Sequence, residues 1–367
     1  MSSQRVNNPM NGKLSSVDVV VPCYNYGRYL RYCVRSVLDQ SGVEVRVLII
    51  DDASSDETAE IGHALAQEDS RITFWRHAKN RGNINTYNEG IQWASADYFL
   101  LLSADDWLLP CALVRAAEVF QKHSEVVLVH GHAAVVQVGE STPEIRESAP
   151  CEYSVLRGQS FIAAACRNSD SNPVWTPTAV VRTADQKAVG GYSAELPHAG
   201  DLHLWLTLAC RGSIAKIENH QAVYRRHDAN MHYSFSKLKN LRQHLLAFDT
   251  VFNAYPDTIK EHAALQRQYR KGLALNAIHL AQRDAVNNDG NFCEEYLTFA
   301  FALAPALRRS PALLQLKVLQ MGGHRLARAL KPVIRKLRDL RAHGLRFSFG
   351  EGYRASHDRL KAKLTER

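Results

Sequence analysis

Tyr98-Phe-Leu-Leu-Leu-Ser-Ala-Asp-Asp-Trp-Leu-Leu-Pro110 is the stretch on which the reading of this chain turns. The run from Tyr98 to Leu102 predicts a buried strand. Ser103-Ala104-Asp105-Asp106 then interrupts it with two adjacent acids, and Trp107 to Leu109 is apolar again before Pro110. A buried charge without a partner forfeits several kcal/mol of hydration, so the acids need compensation. A divalent cation would supply it. So would the start of a helix, since Asp is a good N-cap. This stretch alone leaves both open.

Working outward toward the N-terminus, Val17-Asp-Val-Val-Val21 predicts a first strand and Pro22-Cys-Tyr-Asn-Tyr-Gly27 a polar turn. Leu30, Val34, Val37 and Leu38 share one face of a helix from Arg28 to Gln40. Val45 to Ile50 is a second, largely β-branched strand, followed by the acidic loop Asp51-Asp-Ala-Ser-Ser-Asp56. Ser55 or Asp56 suits the cap of the helix that runs to about Gln67. A short strand at Arg71–Arg76, a turn at Asn80–Asn83 and a helix at Asn85–Ala94 lead into the opening strand. The order βαβαβαβ with short connections calls for a parallel, doubly wound sheet. Ligands of such sheets bind beyond the carboxyl ends of the strands. Three polar segments fall there: Pro22–Gly27, Asp51–Asp56 and Ser103–Asp106. Their convergence favours a binding site over capping alone. Neither a Gly-x-Gly-x-x-Gly turn nor a Walker Gly-Lys-Ser/Thr is present, which argues against a dinucleotide enzyme or a P-loop ATPase. Acidic loops facing an anionic ligand would need a cation between them.

Beyond Pro110 a helix extends to about His123, one or two strands occupy Val126–Val138, and 139–153 is a Pro/Ser/Glu-rich loop. Arg157–Arg167 reads as a helix and Thr178–Val181 as a strand. Asp201 to Cys210 is a strongly apolar helix with an acid at its start, and Ile214–Ile217 and Gln221–Arg226 read as short strands. After Met231 the pattern is all-helical, with candidates at 236–253, 258–283, 291–304 and 311–320. The expected organisation is a flexible segment 1–16, an α/β domain 17–230, a helical extension 231–321 and a basic tail 322–367.

Composition is that of an ordinary globular protein, with 46% hydrophobic and 22% charged residues over 367 positions. Seven cysteines, scattered and without a Cys-x-x-Cys pair, argue against a disulfide framework or zinc site and for a reducing, cytoplasmic setting. The first 16 residues lack the apolar core of a signal peptide, and no run approaches a membrane span. The net charge of +8 is concentrated: Gly322–Arg367 carries 13 Lys+Arg against 4 Asp+Glu. Leu326, Leu330, Val333, Ile334, Leu337 and Leu340 put an apolar stripe on this tail, with Pro332 as a kink. That pattern suits peripheral contact with an anionic membrane, or a helix packed on the protein with a solvated cationic face. Nucleic acid is not expected, because the tail has few aromatics for stacking.

In their order along 17–230, these segments resemble the inverting, nucleotide-sugar-dependent glycosyltransferases of family 2. The resemblance rests on Val17-Asp-Val-Val-Val-Pro-Cys-Tyr-Asn-Tyr, Val47-Leu-Ile-Ile-Asp-Asp-Ala-Ser-Ser-Asp-Glu-Thr, Asn80-Arg-Gly-Asn with Asn88-Glu-Gly, Ser103-Ala-Asp-Asp, Leu196-Pro-His-Ala-Gly-Asp-Leu-His-Leu-Trp-Leu and Tyr224-Arg-Arg-His-Asp-Ala-Asn. It implies a GT-A fold: a Rossmann-like mixed sheet flanked by helices, here with an all-helical C-terminal extension. It also implies a nucleotide site at Pro22, Tyr24, Asn25, Asp51, Asp52, Arg81, Gly82, Asn88 and Ala104. Of the adjacent pair, Asp52 is favoured, because neighbours at a strand end point in opposite directions. The metal, Mn²⁺ or Mg²⁺, would fall to Asp105 and His227. Asp106 would serve either the metal or the cap of the following helix. Asp201 would be the general base, a role compatible with an N-cap. Arg225 and Arg226 would meet the diphosphate or form a solvated pair, while Trp107, Trp175 and Trp205 read as core.

The chain departs from the family pattern in three places. Ser103 replaces the first acid of Asp-x-Asp, Gly200 replaces the Glu before the base, and Tyr87 stands where an Arg commonly precedes Asn88. The Gln-x-x-Arg-Trp motif of processive synthases is also missing. The expected function is non-processive transfer from a nucleoside diphosphate sugar, UDP-sugar foremost, to a glycan or lipid-linked hydroxyl acceptor in polysaccharide, glycolipid or glycan biosynthesis. A nucleotidyltransferase and a non-catalytic nucleotide-sugar binder are the alternatives.

Overall fold

The structure, a computed structural model, describes residues 14–140, 151–228, 230, 236–286 and 293–321. The expected flexible segment before residue 14, the centre of the Pro/Ser/Glu-rich loop and the basic amphipathic tail 322–367 lie outside the described residues.

The elements are β1 (Ser16–Cys23), α1 (Gly27–Leu38), β2 (Glu44–Asp51), α2 (Thr58–Glu68), β3 (Ile72–Arg76), α3 (Asn83–Trp93), β4 (Tyr98–Leu101), β5 (Trp107–Leu108), α4 (Ala112–Lys122) and β6 (Val126–Gln137). They continue with β7 (Tyr153–Leu156), α5 (Gly158–Arg167), β8 (Val180–Arg182), α6 (Thr183–Ala188), α7 (Gly200–Ala209), β9 (Ser213–Arg226), α8 (Lys237–Ala254), α9 (His262–Val286), α10 (Cys293–Leu303) and α11 (Pro311–Met321).

One nine-stranded sheet runs β3-β2-β1-β4-β8-β6-β9-β5, and β7 also pairs with β9. The first four strands are parallel, as the alternating pattern predicts. β8 then runs antiparallel to both β4 and β6, which makes the sheet mixed. Val19, Val20 and Val21 of β1 and Val47 to Ile50 of β2 are completely buried. That is why these strands read as unbroken apolar runs: both faces of a parallel sheet are covered. Asp18 is also completely buried, held by two hydrogen bonds from Arg46 at 2.8 and 2.7 Å and by the Ser95 and Ala96 amides.

The strands expected at 214–217 and 221–226 are one 14-residue strand, β9, which stays paired with β6 through register shifts near His130 and His132 that leave the extra residues on β9: His130 faces Lys216 while His132 faces His220. Three of these elements, β5, β7 and α6, are not in the sequence reading. β7 is a short edge strand, and α6 spans six residues, Thr-Ala-Asp-Gln-Lys-Ala, without an apolar stripe. Trp107 and Leu108, read only as apolar, pair with Val223 and Ala222 of β9.

The described residues divide into two units. The first holds the sheet. The second groups Gln159–Pro173 with the helices after Met231, a grouping that a boundary drawn along the sequence does not contain. Its core is built on Tyr269, whose ring stacks on Phe248 at 4.6 Å and meets Phe252 edge-on at 5.0 Å. Among the described residues no helix is long and apolar enough to cross a membrane.

Candidate functional site

The carboxyl ends of β1, β2 and β4 and the end of β9 carry the predicted site residues. After β1, Tyr24 is half exposed and Asn25 adopts φ 58°. After β2, Ala53 adopts φ 61°. Non-glycine residues in the left-handed region are uncommon and strained, and such strain gathers where geometry serves a ligand. The two loops are laced together. The Asn25 N–H donates to Ser54 Oγ at 2.9 Å, and Asn25 Oδ1 accepts from the Ser55 amide at 2.8 Å. Asp56 accepts from the first amides of both α1 and α2, Gly27 at 3.0 Å and Thr58 at 3.1 Å. One carboxylate therefore satisfies two helix N-termini. The cap expected of Ser55 or Asp56 belongs to Asp56 in this sense, although the residue flanking α2 is Glu57.

Asp51 and Asp52 are both buried and point to different tasks. Asp51 accepts from the Ser54 amide at 2.9 Å and pairs with Arg76 Nε at 3.2 Å, which ties the loop to β3. Asp52 accepts from the Arg81 amide at 2.7 Å, the Gly82 amide at 2.9 Å and His77 Nδ1 at 2.7 Å. It thus pins the Asn80–Gly82 turn, where Gly82 takes φ 82°. The Arg81 side chain is turned to Glu89. Pro22 is partly buried and Ala104 completely so.

The acidic corner forms where the ends of β4 and β9 meet. Asp105 Oδ2 lies 2.9 Å from His227 Nε2 and 3.1 Å from Asn230 Nδ2. Asn230 in turn accepts the His227 amide at 2.6 Å and donates to the Arg225 carbonyl at 3.1 Å. His227 stacks on Tyr29 at 5.5 Å and meets Tyr26 edge-on at 5.3 Å. Of the two expectations for Arg225, the solvated pair is not what forms. The guanidinium is held between the rings of Tyr29 (4.7 Å) and Trp107 (4.6 Å), and Nε donates to the Asp105 carbonyl at 3.0 Å. It braces the corner, so a solvated pair is ruled out for Arg225. Asp106 does not flank α4, whose preceding residue is Cys111; its carboxylate accepts the Arg225 amide at 2.9 Å. Burial, then the charge of Asp105, push the Asp106 carboxyl well above the usual range, against the opposing influence of Arg225.

One observation at this corner is consistent with a divalent cation: Asp105 Oδ1 and His227 Nδ1 are buried without a hydrogen-bond partner. Among the described residues no group of three or more His, Cys, Asp or Glu is placed to hold a metal ion, so Asp106 does not join Asp105 and His227 in a three-ligand set; a cation held by Asp105 and His227 would complete its shell with water and phosphate.

Asp201 sits in the first turn of α7, but Ala199 is the flanking residue and no side chain caps the helix. Its Oδ2 instead accepts from Thr176 Oγ1 at 2.7 Å. Burial raises its carboxyl above the usual range, and hydrogen bonds from Thr176 and Tyr192 pull it back only in part. Tyr192 is placed by Asn88. The Asn88 side chain accepts the Tyr192 amide at 2.7 Å and donates to the Tyr192 carbonyl at 2.9 Å, so both ends of its amide are engaged. Gly191 is required at this contact, since a Cβ there would lie 2.0 Å from Asn88 Oδ1. Tyr87, the residue in place of the common Arg, meets Tyr192 edge-on at 5.1 Å. Burial foremost, then the charges of Asp201 and Asp105, raise the Tyr87 hydroxyl. Trp107 and Trp205 are buried as expected, and Trp175 leans on Tyr224 at 5.7 Å. Sequence reasoning assigned no role to His77, Tyr26, Tyr29, Thr176, Tyr192 or Asn230. Of these, Tyr26 and Asn230 lay inside quoted motifs.

Comparison with known proteins agrees with this architecture. Residues 18–183 match the model of the family described as Glycosyl transferase family 2. The chain is 25% identical over 259 residues to an uncharacterised Mycobacterium tuberculosis protein, MT1568, across 68% of this chain and 80% of that one. It is 26% identical over 218 residues to an uncharacterised glycosyltransferase, alr2836, of a Nostoc species, across 59% of this chain and 67% of that one. Among solved structures, S. aureus TarS 1–349 in complex with UDP-GlcNAc superposes with a TM-score of 0.58 at 17% identity, covering 86% of this chain and 91% of TarS 1–349. The mannosyltransferase PcManGT from Pyrobaculum calidifontis, in complex with GDP-Man and Mn²⁺, superposes with a TM-score of 0.52 at 16% identity, covering 84% and 80%. The chain carries a glycosyl transferase family 2 domain at 18–183 in a GT-A type fold.

Proposed function

We propose that this family 2 domain transfers one sugar at a time from a nucleoside diphosphate donor, UDP-sugar foremost, to a hydroxyl of a glycan or lipid-linked acceptor, with inversion. The observation that carries the reading is the presence of two carboxylates in different settings, Asp105 beside the end of β9 and Asp201 in the first turn of α7. At Asp105, His227 and Asn230 lie on one oxygen and the other oxygen is unpartnered. Asp201 is raised toward the working range of a base. The nucleotide complexes of the structural neighbours support the donor class.

In this reading, the turn held by Asp52 and the loops at Tyr24 and Asn25 receive the nucleoside. Asp105 and His227, with Asp106 behind them, would hold Mn²⁺ or Mg²⁺, which when bound supplies Lewis acidity to the departing diphosphate. Asp201 takes the acceptor proton as the hydroxyl attacks the anomeric carbon from the face opposite the leaving group. Thr176 and Tyr192 hold that carboxylate in one orientation. The surrounding biology would be glycan, glycolipid or polysaccharide assembly at the cytoplasmic face of a membrane, with 322–367 as the contact.

A panel of nucleotide sugars incubated with and without Mn²⁺, with products resolved, tests the reading. Release of a nucleoside diphosphate, lost in Asp201→Asn while donor binding persists, is the expected result. Release of pyrophosphate when a nucleoside triphosphate and a sugar phosphate are supplied in place of the nucleotide sugar would instead establish a nucleotidyltransferase. Donor binding with no turnover on any sugar would establish a non-catalytic binder.

A further inference from the structure

His77 follows β3 at the edge of the nucleotide loops, with its side chain nearly buried. Its Nδ1 lies 2.7 Å from Asp52 Oδ1 and its Nε2 lies 2.6 Å from Glu89 Oε2. A neutral imidazole has one N–H and could satisfy only one of these carboxylates; the other would meet a lone pair. Two carboxylates at these distances therefore hold an imidazolium through two charge-assisted hydrogen bonds. Its own amide also donates to the Asp51 carbonyl at 2.9 Å, so the residue joins the end of β2, the Asn80–Gly82 turn and α3. The charged groups around the ring are Asp52 from the end of β2, Glu89 from α3, Arg81, which reaches Glu89 through its other oxygen, and Arg76, which is turned to Asp51.

We propose that His77 is a positioning residue for the nucleotide loop: as an imidazolium bridging Asp52 and Glu89, it fixes the Asp52 carboxylate that holds the Arg81 and Gly82 amides. The proposal rests on the nucleoside reading of that loop. Burial alone would lower the His77 pKa, but the hydrogen bonds its ring donates to Asp52 and Glu89, and their charges, raise it above the ordinary histidine value. The sign follows. The bridge is complete at low pH and is lost as pH rises through this raised value, so the turn loosens on the alkaline side of about 6.5.

The test compares the full chain with His77→Gln between pH 6.5 and 9, by two readouts. One is hydrogen exchange of the Arg81 and Gly82 amides without nucleotide, corrected for intrinsic rates. The other is UDP affinity by calorimetry; the ratio between the two proteins cancels the titration of UDP itself. At pH 6.5 the variant should show about tenfold less protection and about tenfold weaker UDP binding, the factor that a hydrogen bond to a charged group carries. Wild type should converge on the variant as pH rises, and Glu89→Gln should move that convergence to lower pH. Equal protection of both amides in His77→Gln, or a ratio independent of pH, overturns the proposal. Loss of protection as expected, with no UDP binding by either protein, upholds the bridge and counts against the nucleotide reading.

Discussion

Replacing Thr176 by valine removes one hydrogen bond to Asp201 and almost nothing else, since the two side chains are nearly the same size. The bond is short, 2.7 Å from Oγ1 to Oδ2, and it lowers the Asp201 pKa against the larger effect of burial. A hydrogen bond to a charged group contributes about 1.5–3 kcal/mol. Asp201 is partly open to solvent, so the lower end applies. One pH unit corresponds to about 1.4 kcal/mol, so the Asp201 carboxyl should rise by about one unit in Thr176→Val. A general base works only when ionised, so activity falls as pH drops through this value. The acid limb of kcat/KM should therefore move about one unit toward alkaline pH, with the plateau rate little changed. Thr176→Ser should leave the limb in place. The assay is nucleoside diphosphate release from the donor found in the panel, across the acid range. An acid limb that stays put in Thr176→Val, or moves to lower pH, would refute the assignment of that limb to Asp201.

Asp105→Ala should weaken UDP binding and remove its response to EDTA; affinity indifferent to both chelator and substitution would exclude a metal at this corner. Gly191→Ala forces a Cβ to within 2.0 Å of Asn88 Oδ1 and should cost about 1–3 kcal/mol, read as a lowered Tm; an unchanged Tm would contradict the close packing. Asp56 titrates below the ordinary carboxylate range. Burial would raise it, but the Thr58 hydroxyl and the Gly27 and Thr58 amides outweigh this. Its contribution is therefore present above pH about 3.9 and lost as pH falls through the depressed folded value. Asp56→Ala should cost about 1–2 kcal/mol in urea unfolding at pH 7 and progressively less in strong acid; a pH-independent cost would be the wrong sign. Ending the chain at 321 should abolish co-sedimentation with anionic, but not neutral, vesicles if the tail is the membrane contact; equal binding by both chains would remove that role.

The parallel half of the sheet was legible because β1, β2 and β4 are buried on both faces and carry continuous apolar runs. β7 and α6 were not, because a four-residue edge strand and a six-residue helix of four polar residues and two alanines carry no periodicity to detect. At the site, Asp105 and His227 were named as partners through family resemblance, and they lie 2.9 Å apart although 122 positions separate them. Asn230 stood in the same motif without a distinguishing signal. His77 was invisible for a different reason. It is one histidine after an edge strand, and its meaning comes from Asp52 and Glu89, 25 and 12 positions away. Helix-cap expectations failed at Asp106 and Asp201 because the type of residue suits a cap, while the register of the following helix decides whether it is one.

Gly200 is the place where this chain lacks an acid, and its surroundings give that absence a cause. A Cβ at 200 would lie 2.9 Å from the Tyr192 ring, the same ring whose hydroxyl reaches Asp201. Glutamate at 200 and tyrosine at 192 therefore compete for one volume. Gly200 and Tyr192 are thus a coupled pair in this chain: Gly200→Glu alone should crowd the ring, and a smaller residue at 192 should relieve that crowding while stripping Asp201 of its hydroxyl neighbour.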